Sequence, residues 1–423
     1  MTRTPYPLLV GILVLVLWLA GLAFWQPAGL VDETGHQLAV ERIQNGQWER
    51  TSYLVMVPGY HALLALLSLP TGASLWTSRL LAFCMSVLAL VLVDAAARGR
   101  AGGAGLAPLL AALLPFYLPY TTLVYTDAGA VLFIAAALFF HMKRRHRLAA
   151  VAVLAACFMR QSSVVWGLFF AGWIVLDEWG GPPPVQGHGQ ARDAPVDGTP
   201  APAVRLLPQV AGHLLVVVMV TLTLFFSGSL LSQSVPENRP RPNLGNLYIM
   251  GWAGLILWAP LWLPLLPAGL GTLRRTWRLR PGRVLSAIAL AAASVILLVL
   301  TYANWHSWNQ DPRFLRNFPL LLMASSVSAR ILGSLALVAG LVAMAGIWRT
   351  LPSKRPLALL AFCTLLFLLP HALVEARYAI IPFLLADFVA GVERPRQARL
   401  AVWYAVLSAV VATLFLRGTF VLW

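Results

Sequence analysis

Apolar runs of roughly 17–22 residues recur along the chain, parted by short polar stretches, the pattern a bilayer core requires of helices. They predict spans at 8–25, 79–97, 105–122, 128–142, 147–160, 163–177, 206–226, 247–268, 284–303, 331–348, 357–372, 377–391 and 399–416. The fold expected is an all-α, polytopic transmembrane bundle of about thirteen helices forming one domain over 1–423. Residues 60–69 are apolar but too brief to span, and with 36–48 they suit helices lying along the interface within a first outer loop, 26–78. Arg3 precedes the run Leu8–Trp25, which is long for a signal segment and is followed by Gln26-Pro27, so it reads as a retained first span.

Composition agrees: 59% of residues are hydrophobic, 11% are charged and mean hydropathy is +0.77, which excludes an ordinary soluble domain. The net charge of +16 does not indicate nucleic acid, because basic residues that hold loops in the cytoplasm give the same excess. With Arg3 inside, alternate loops collect Arg98/Arg100, Lys143 to Arg147, the 178–205 linker, Arg274 to Arg283, Arg349 to Arg355 and Arg394 to Arg399. That face holds 20 of the 31 basic residues, while the opposite face holds nine beside eight acids. Arg79 and Arg330, at or near helix ends, complete the count. Segment 178–205 is rich in Pro, Gly and Ala and reads as a flexible cytoplasmic linker. Cys84, Cys157 and Cys363 lie in apolar runs without metal-ligand spacing, and no disulfide is expected. No internal repeat of the transporter kind is evident.

The polar residues that topology does not explain fall on the outer side: Asp32-Glu33, His36, Tyr125-Thr126-Asp127, Arg160-Gln161, Asn304 to Arg316 and Glu375 to Tyr378. Ionisable groups near membrane depth are costly and are either functional or paired with one another. Adjacent carboxylates point in different directions, so Asp32 and Glu33 can divide a base role from an orienting one; alternatively they cap helix 36–48 and complement its dipole. Arg160 sits in an apolar stretch, where it either pairs with Asp127, snorkels, or grips a phosphate; Arg313, Arg316 and Arg377 are further phosphate candidates. His306 and His371, with Trp305 and Trp308, fit an aromatic belt or a sugar-stacking surface. His36, His306 and His371 lack a metal-binding spacing.

Together these segments resemble the GT-C class of membrane glycosyltransferases, and more closely the Alg10 (Die2) family of dolichyl-phosphate-glucose-dependent α-1,2-glucosyltransferases. Asp32-Glu33-Thr34-Gly35-His36 resembles that family's Asp-Glu-x-x-His, and Trp48 with Pro58-Gly59-Tyr60 its Trp and Pro-Pro-Gly-Leu-Tyr. Tyr125-Thr126-Asp127 is similar to Tyr-Tyr-Thr-Asp, and Arg160-Gln161-Ser162-Ser163-Val164-Val165-Trp166 to Arg-Gln-Thr-Asn-Ile-x-Trp. Asp311-Pro312-Arg313-Phe314 is similar to Asp-Asn-Arg-His-Tyr, and Glu375-Ala376-Arg377-Tyr378 to the closing Glu-x-Arg-Tyr. Val57-Pro58-Gly59 lacks the doubled proline, and 227–246 matches poorly, where acceptor recognition would differ.

The resemblance implies an inverting enzyme that moves a hexose, glucose by the family pattern, from a polyprenyl-phosphate-sugar donor to a hydroxyl of a glycan or lipid-linked acceptor. Asp32 is the preferred base, with Glu33 close behind. His36, Asp127, Arg160, Gln161, Asp311, Arg313, Arg316, Glu375, Arg377 and Tyr378 would bind donor phosphate or sugar. No cofactor is required, although a divalent cation bridging carboxylate and phosphate stays open. The Ala/Leu/Arg-rich composition suggests a bacterial inner membrane, with the site facing the periplasm or exterior. The alternatives are a flippase or transporter of lipid-linked or anionic solutes, and a related transferase of mannosyl or aminoarabinosyl type.

Overall fold

The computed structural model describes residues 6–26, 28–48, 58–99, 105–179, 202–226, 243–302, 306–311, 318–371 and 373–417, and among them every regular element is helical. The expectation of an all-α protein therefore holds. The first long helix, α1 (Tyr6–Trp25), is followed by the short α2 (Val31–Gln44) and α3 (Gly59–Leu67), then by the long α4 (Leu75–Arg98) and the brief α5 (Ala107–Ala112). Next come α6 (Thr126–Met142), α7 (His146–Met159), α8 (Val164–Trp179) and α9 (Pro202–Phe226). The second half holds α10 (Gly245–Leu257), α11 (Ala259–Trp262), α12 (Leu266–Leu279), α13 (Pro281–Thr301) and α14 (Phe318–Ser325). It closes with α15 (Val327–Thr350), α16 (Lys354–Leu368), α17 (Ile380–Val389) and α18 (Arg394–Leu416).

Among the described residues five helices are long and apolar enough to cross a bilayer (α1, α4, Leu206–Phe226 of α9, α13 and α18), and α10 with Ala259–Leu279, bent by 59°, makes a sixth if the pair is counted as one span rather than a re-entrant loop. By this measure the count of about thirteen is not confirmed. Two expected spans are interrupted. Residues 105–122 break after α5 into turns and a 3-10 turn at Leu118–Thr121, because Pro115 and Pro119 lack N–H donors and disfavour helix at the residue before them. Residues 377–391 divide into a 3-10 turn at Ala376–Ala379 and the ten-residue α17. The long helices carry exposed apolar side chains such as Leu17, Leu297, Leu300 and Val402, surfaces suited to lipid rather than water. The chain is a multi-pass membrane protein.

Helix α6 is buried on nearly every side between α4 and α7, and α8 packs on α9 and α16. Small residues allow the close approaches. A Cβ on Gly59 would lie 2.4 Å from the Phe158 carbonyl oxygen, and one on Gly129 would lie 2.9 Å from the Met159 sulfur and 3.1 Å from the Tyr60 ring. These two glycines let the start of α3 lie directly against the end of α7 and the start of α6. Consequently the N-terminal ends of α2, α3, α4, α6, α8, α10 and α17 gather with the C-terminal ends of α1, α7 and α16 at one end of the bundle.

Candidate functional site

The acidic doublet lies in the first turn of α2, earlier than the interfacial helix expected at 36–48. Carboxylates favour that position because the helix dipole and the free N–H groups attract negative charge. Glu33 Oε2 accepts from the Leu30 N–H at 3.3 Å, which accounts for the early start. Along α2 the four-residue repeat then separates two faces. Glu33, Gln37 and Gln44 turn toward α3 and α4: the Ser78 hydroxyl donates to Gln37 at 2.7 Å, and Gln44 donates to Ser68 at 2.8 Å and accepts from the Ala73 N–H at 3.0 Å. Asp32 and His36, also one turn apart, share a different face, and His36 packs on Tyr125 with ring centroids 5.0 Å apart.

Glu33 is fully committed. The Arg79 guanidinium, on the first turns of α4, donates from Nε to Oε1 at 2.8 Å and from Nη2 to Oε2 at 2.6 Å, with both side chains completely buried. The Val124 N–H adds a bond to Oε1 at 3.1 Å. Arg79 also donates to the carbonyls of Gln26 at 2.8 Å and Ala28 at 3.1 Å and stacks on Trp76 at 4.7 Å. One bidentate ion pair thus ties together the end of α1, the start of α2, α4 and the segment leading into α6. Arg79 is a residue that sequence reasoning had counted only as a charge near a helix end.

A second charge network lies across Tyr125. Asp127, in the first turn of α6, pairs through Oδ1 with Arg160, while its Oδ2 lies 3.7 Å from Arg377 Nη1. Arg160 stands in extended backbone between α7 and the 3-10 turn Gln161–Ser163, so it terminates one helix and faces the next strip of the site. Arg377 grips Glu375 with Nε on Oε2 and with Nη2 on Oε1 at 2.8 Å. The two arginines also stack on aromatic faces, Arg160 on Tyr378 at 4.9 Å and Arg377 on Tyr125 at 5.3 Å. His371 completes this wall at 4.4 Å from the Tyr378 ring, and its backbone carbonyl accepts from Asn246 at 2.8 Å.

Tyr125 joins the two halves. Burial first, and the nearby Asp32 charge second, push its hydroxyl well above its ordinary value. Asp32 itself is half-buried and thus reachable, unlike Glu33. His36 Nδ1 lies 2.8 Å from Nε2 of His61 on α3, in nearly parallel rings. Burial holds both imidazoles below the usual histidine range, His61 down to about 4, so at neutral pH the pair carries no charge and shares one hydrogen bond. His61 was not singled out from sequence; its position directly after Pro58-Gly59-Tyr60 is the signal that could have found it.

Of the other candidates, Gln161 heads its 3-10 turn beside Arg160 and Tyr378 is buried in the turn after Glu375. Asp311 follows the 3-10 turn Ser307–Gln310, which is tied to the same wall because the Val374 N–H donates to Asn309 Oδ1 at 3.1 Å. Arg313 and Arg316, with Trp305, fall outside the described residues. The arginines described do converge, but not on an open anion site: Arg79, Arg160 and Arg377 face Glu33, Asp127 and Glu375, and Asp32 brings a fourth carboxylate. No cluster of three or more His, Cys, Asp or Glu side chains arranged for a metal occurs among the described residues.

Residues 51–227 match the sequence model of the DIE2/ALG10 family. The glycosyltransferase family read from the motifs is therefore the one this segment matches; it contains Pro58-Gly59-Tyr60, Tyr125-Thr126-Asp127 and Arg160 to Trp166, whereas Asp32 to His36 and Glu375 to Tyr378 lie outside it. Among solved structures the chain is similar to ArnT from Cupriavidus metallidurans in the apo state, at 16% identity and a TM-score of 0.44, over 97% of this chain and 76% of that one. It is also similar to the same protein bound to undecaprenyl phosphate, at 15% identity and a TM-score of 0.46, over 99% and 79%. No curated protein matches it in sequence.

Proposed function

We propose that the protein is a GT-C-type glycosyltransferase that moves a hexosyl group from a polyprenyl-phosphate sugar to an acceptor hydroxyl, with inversion at the anomeric carbon. The observation that carries this reading is the division of labour along α2: Glu33 is spent on Arg79, while His36 packs on the Tyr125 ring that Arg377 also stacks on, and Asp32, one turn from His36, lies near enough to Tyr125 for its charge to act on that hydroxyl. Asp32 takes the proton of the acceptor hydroxyl as its oxygen attacks the anomeric carbon, and the bond to the lipid phosphate breaks on the opposite face. Glu33 acts by holding α2 in register rather than by touching substrate. Arg160 and Arg377, already stacked on Tyr378 and Tyr125, orient the sugar and screen the charge that collects on the departing phosphate. Aromatic faces beside fixed guanidinium groups are suited to a sugar ring.

Glucose is the hexose the family resemblance favours, with mannosyl or aminoarabinosyl transfer as the nearest alternatives. The acceptor is a glycan or lipid-linked hydroxyl, and the site opens on the periplasmic or exterior side of a bacterial inner membrane, opposite the Arg- and Lys-rich loops. The test is transfer from a polyprenyl-phosphate hexose by the full chain, with Asp32→Asn and Glu33→Gln compared separately. Loss of turnover in Asp32→Asn with unchanged folding supports the reading. Full activity in Asp32→Asn, whatever Glu33→Gln does, overturns the acid–base assignment.

A further inference from the structure

We propose that α12 is a binding surface for acidic phospholipid head groups, lying along the membrane face opposite the candidate site. Helix α10 begins at the site, where Asn246 donates to the His371 carbonyl at 2.8 Å, so the chain that follows it emerges at the far end of the bundle. There it bends by 59° between α10 and Ala259–Leu279. The bend is built in. Pro260 has no N–H for the Ile256 carbonyl, and the Trp403 indole supplies one at 2.7 Å. The Trp262 indole donates to the Leu255 carbonyl at 2.8 Å, and the Trp258 indole to Asp387 at 3.0 Å. Helix α12 is thereby turned away from the direction of α10. Its 14 residues, about 21 Å long with three arginines, are too short and too charged to cross a bilayer core alone.

The helix has two faces. Leu266, Leu273 and Trp277, spaced by seven and four residues, share one side, and each is 45–49% exposed. Arg274, Arg275 and Arg278 lie together on another side, all of them exposed. Arg280 and Arg283 continue the charge past the helix end, and no carboxylate among the described residues pairs with any of the five. A Cβ added at Gly269, Gly271 or Gly282 would meet nothing within 4 Å, so no described part of the bundle covers this strip. Arginines that only fixed the side of a loop would need no apolar stripe beside them. The two together suit a helix at the membrane boundary, its leucines and tryptophan entering the acyl edge while the guanidinium groups reach head-group phosphates. Uncompensated positive charge then selects acidic lipid over zwitterionic lipid, each arginine adding to the attraction.

The full chain is purified in detergent and titrated with phosphatidylglycerol and with phosphatidylcholine, bound lipid being read by native mass spectrometry. Amide exchange over 266–283 is followed in nanodiscs of phosphatidylcholine alone, in nanodiscs of both lipids in equal parts, and in the neutral discs with heparin added as a soluble polyanion. The wild type is expected to prefer phosphatidylglycerol and to exchange more slowly across α12 in the acidic discs. Arg274→Gln/Arg275→Gln/Arg278→Gln should weaken phosphatidylglycerol binding at least about tenfold and abolish that slowing, at unchanged thermal stability. A charge-matched control at the junction of α6 and α7, Lys143→Gln/Arg145→Gln/Arg147→Gln, should keep both properties. If the control loses them to the same degree, net charge and not α12 recruits the lipid, and the proposal is overturned. Equal exchange in the acidic and neutral discs overturns it as well. Protection of α12 by heparin but not by the acidic discs would assign the face to a soluble partner. A dimer that Leu273→Asn/Trp277→Asn dissociates would assign it to a second copy of the chain, and either result sinks the lipid proposal. None of these outcomes bears on the transferase reading, which rests on the other end of the molecule.

Discussion

Glu33 and Arg79, 46 positions apart in the chain, form a two-pronged ion pair with no solvent exposure on either side chain. Its neighbour Asp32 projects to another face of the same helix turn. The consequence is that two adjacent carboxylates, chemically alike, carry different duties set by their surroundings.

Removing one member of the buried pair leaves the other charge without compensation in a dry site. Glu33→Gln or Arg79→Met is expected to destabilise the protein by about 3–5 kcal/mol, seen as a lower thermal unfolding temperature in detergent. The double variant Glu33→Gln/Arg79→Met should lose less than the sum of the two. Additive losses would mean that the pair is not the joint described above.

Asp32→Asn is expected to behave in the opposite way. Stability should fall by less than in Glu33→Gln, since Asp32 is half-buried whereas Glu33 is fully buried in its ion pair. Turnover should fall by about 10²–10⁴-fold, the usual worth of a positioned base.

Asp127 compensates two guanidinium groups at once. Asp127→Asn should therefore cost more stability than Arg160→Gln, because it leaves two buried cations short of charge rather than one carboxylate still facing Arg377. A double-mutant cycle between Asp127 and Arg160 should return a coupling of about 1–3 kcal/mol. A coupling near zero would contradict the network.

The His36–His61 pair sets a pH dependence with a definite sign. Burial holds both imidazoles neutral in the fold, His61 with a value of about 4, whereas an unfolded histidine titrates near 6.5. Between those values the unfolded chain binds protons that the folded chain does not, so stability is full above pH of about 6.5 and declines as pH falls toward 4. Thermal unfolding measured from pH 7.5 downward (roughly to 4.5) should show this fall, and His61→Gln should flatten it.

Gly59 has no room for a side chain, since a Cβ there would meet the Phe158 backbone at 2.4 Å. Gly59→Ala should push α3 from α7, separate His61 from His36 and lower activity more than stability. Activity equal to wild type would show that α3 does not position the site.

Much of this protein was legible along the chain because a bilayer writes its demands locally. Apolar runs such as Leu8–Trp25, and the alternation of basic loops, depend only on nearby residues and on the cost of unpaired backbone in lipid. The ordered motifs around Asp127, Arg160 and Glu375 likewise marked positions that the fold brings together. What no local pattern could decide was pairing. That Glu33 rather than Asp32 meets Arg79, that Asp127 stands between Arg160 and Arg377, and that His61 lies against His36 all follow from helix ends brought together by close packing at Gly59 and Gly129. A charge buried in low dielectric is governed by whichever neighbour lies within a few ångströms, and that neighbour is chosen by the tertiary fold.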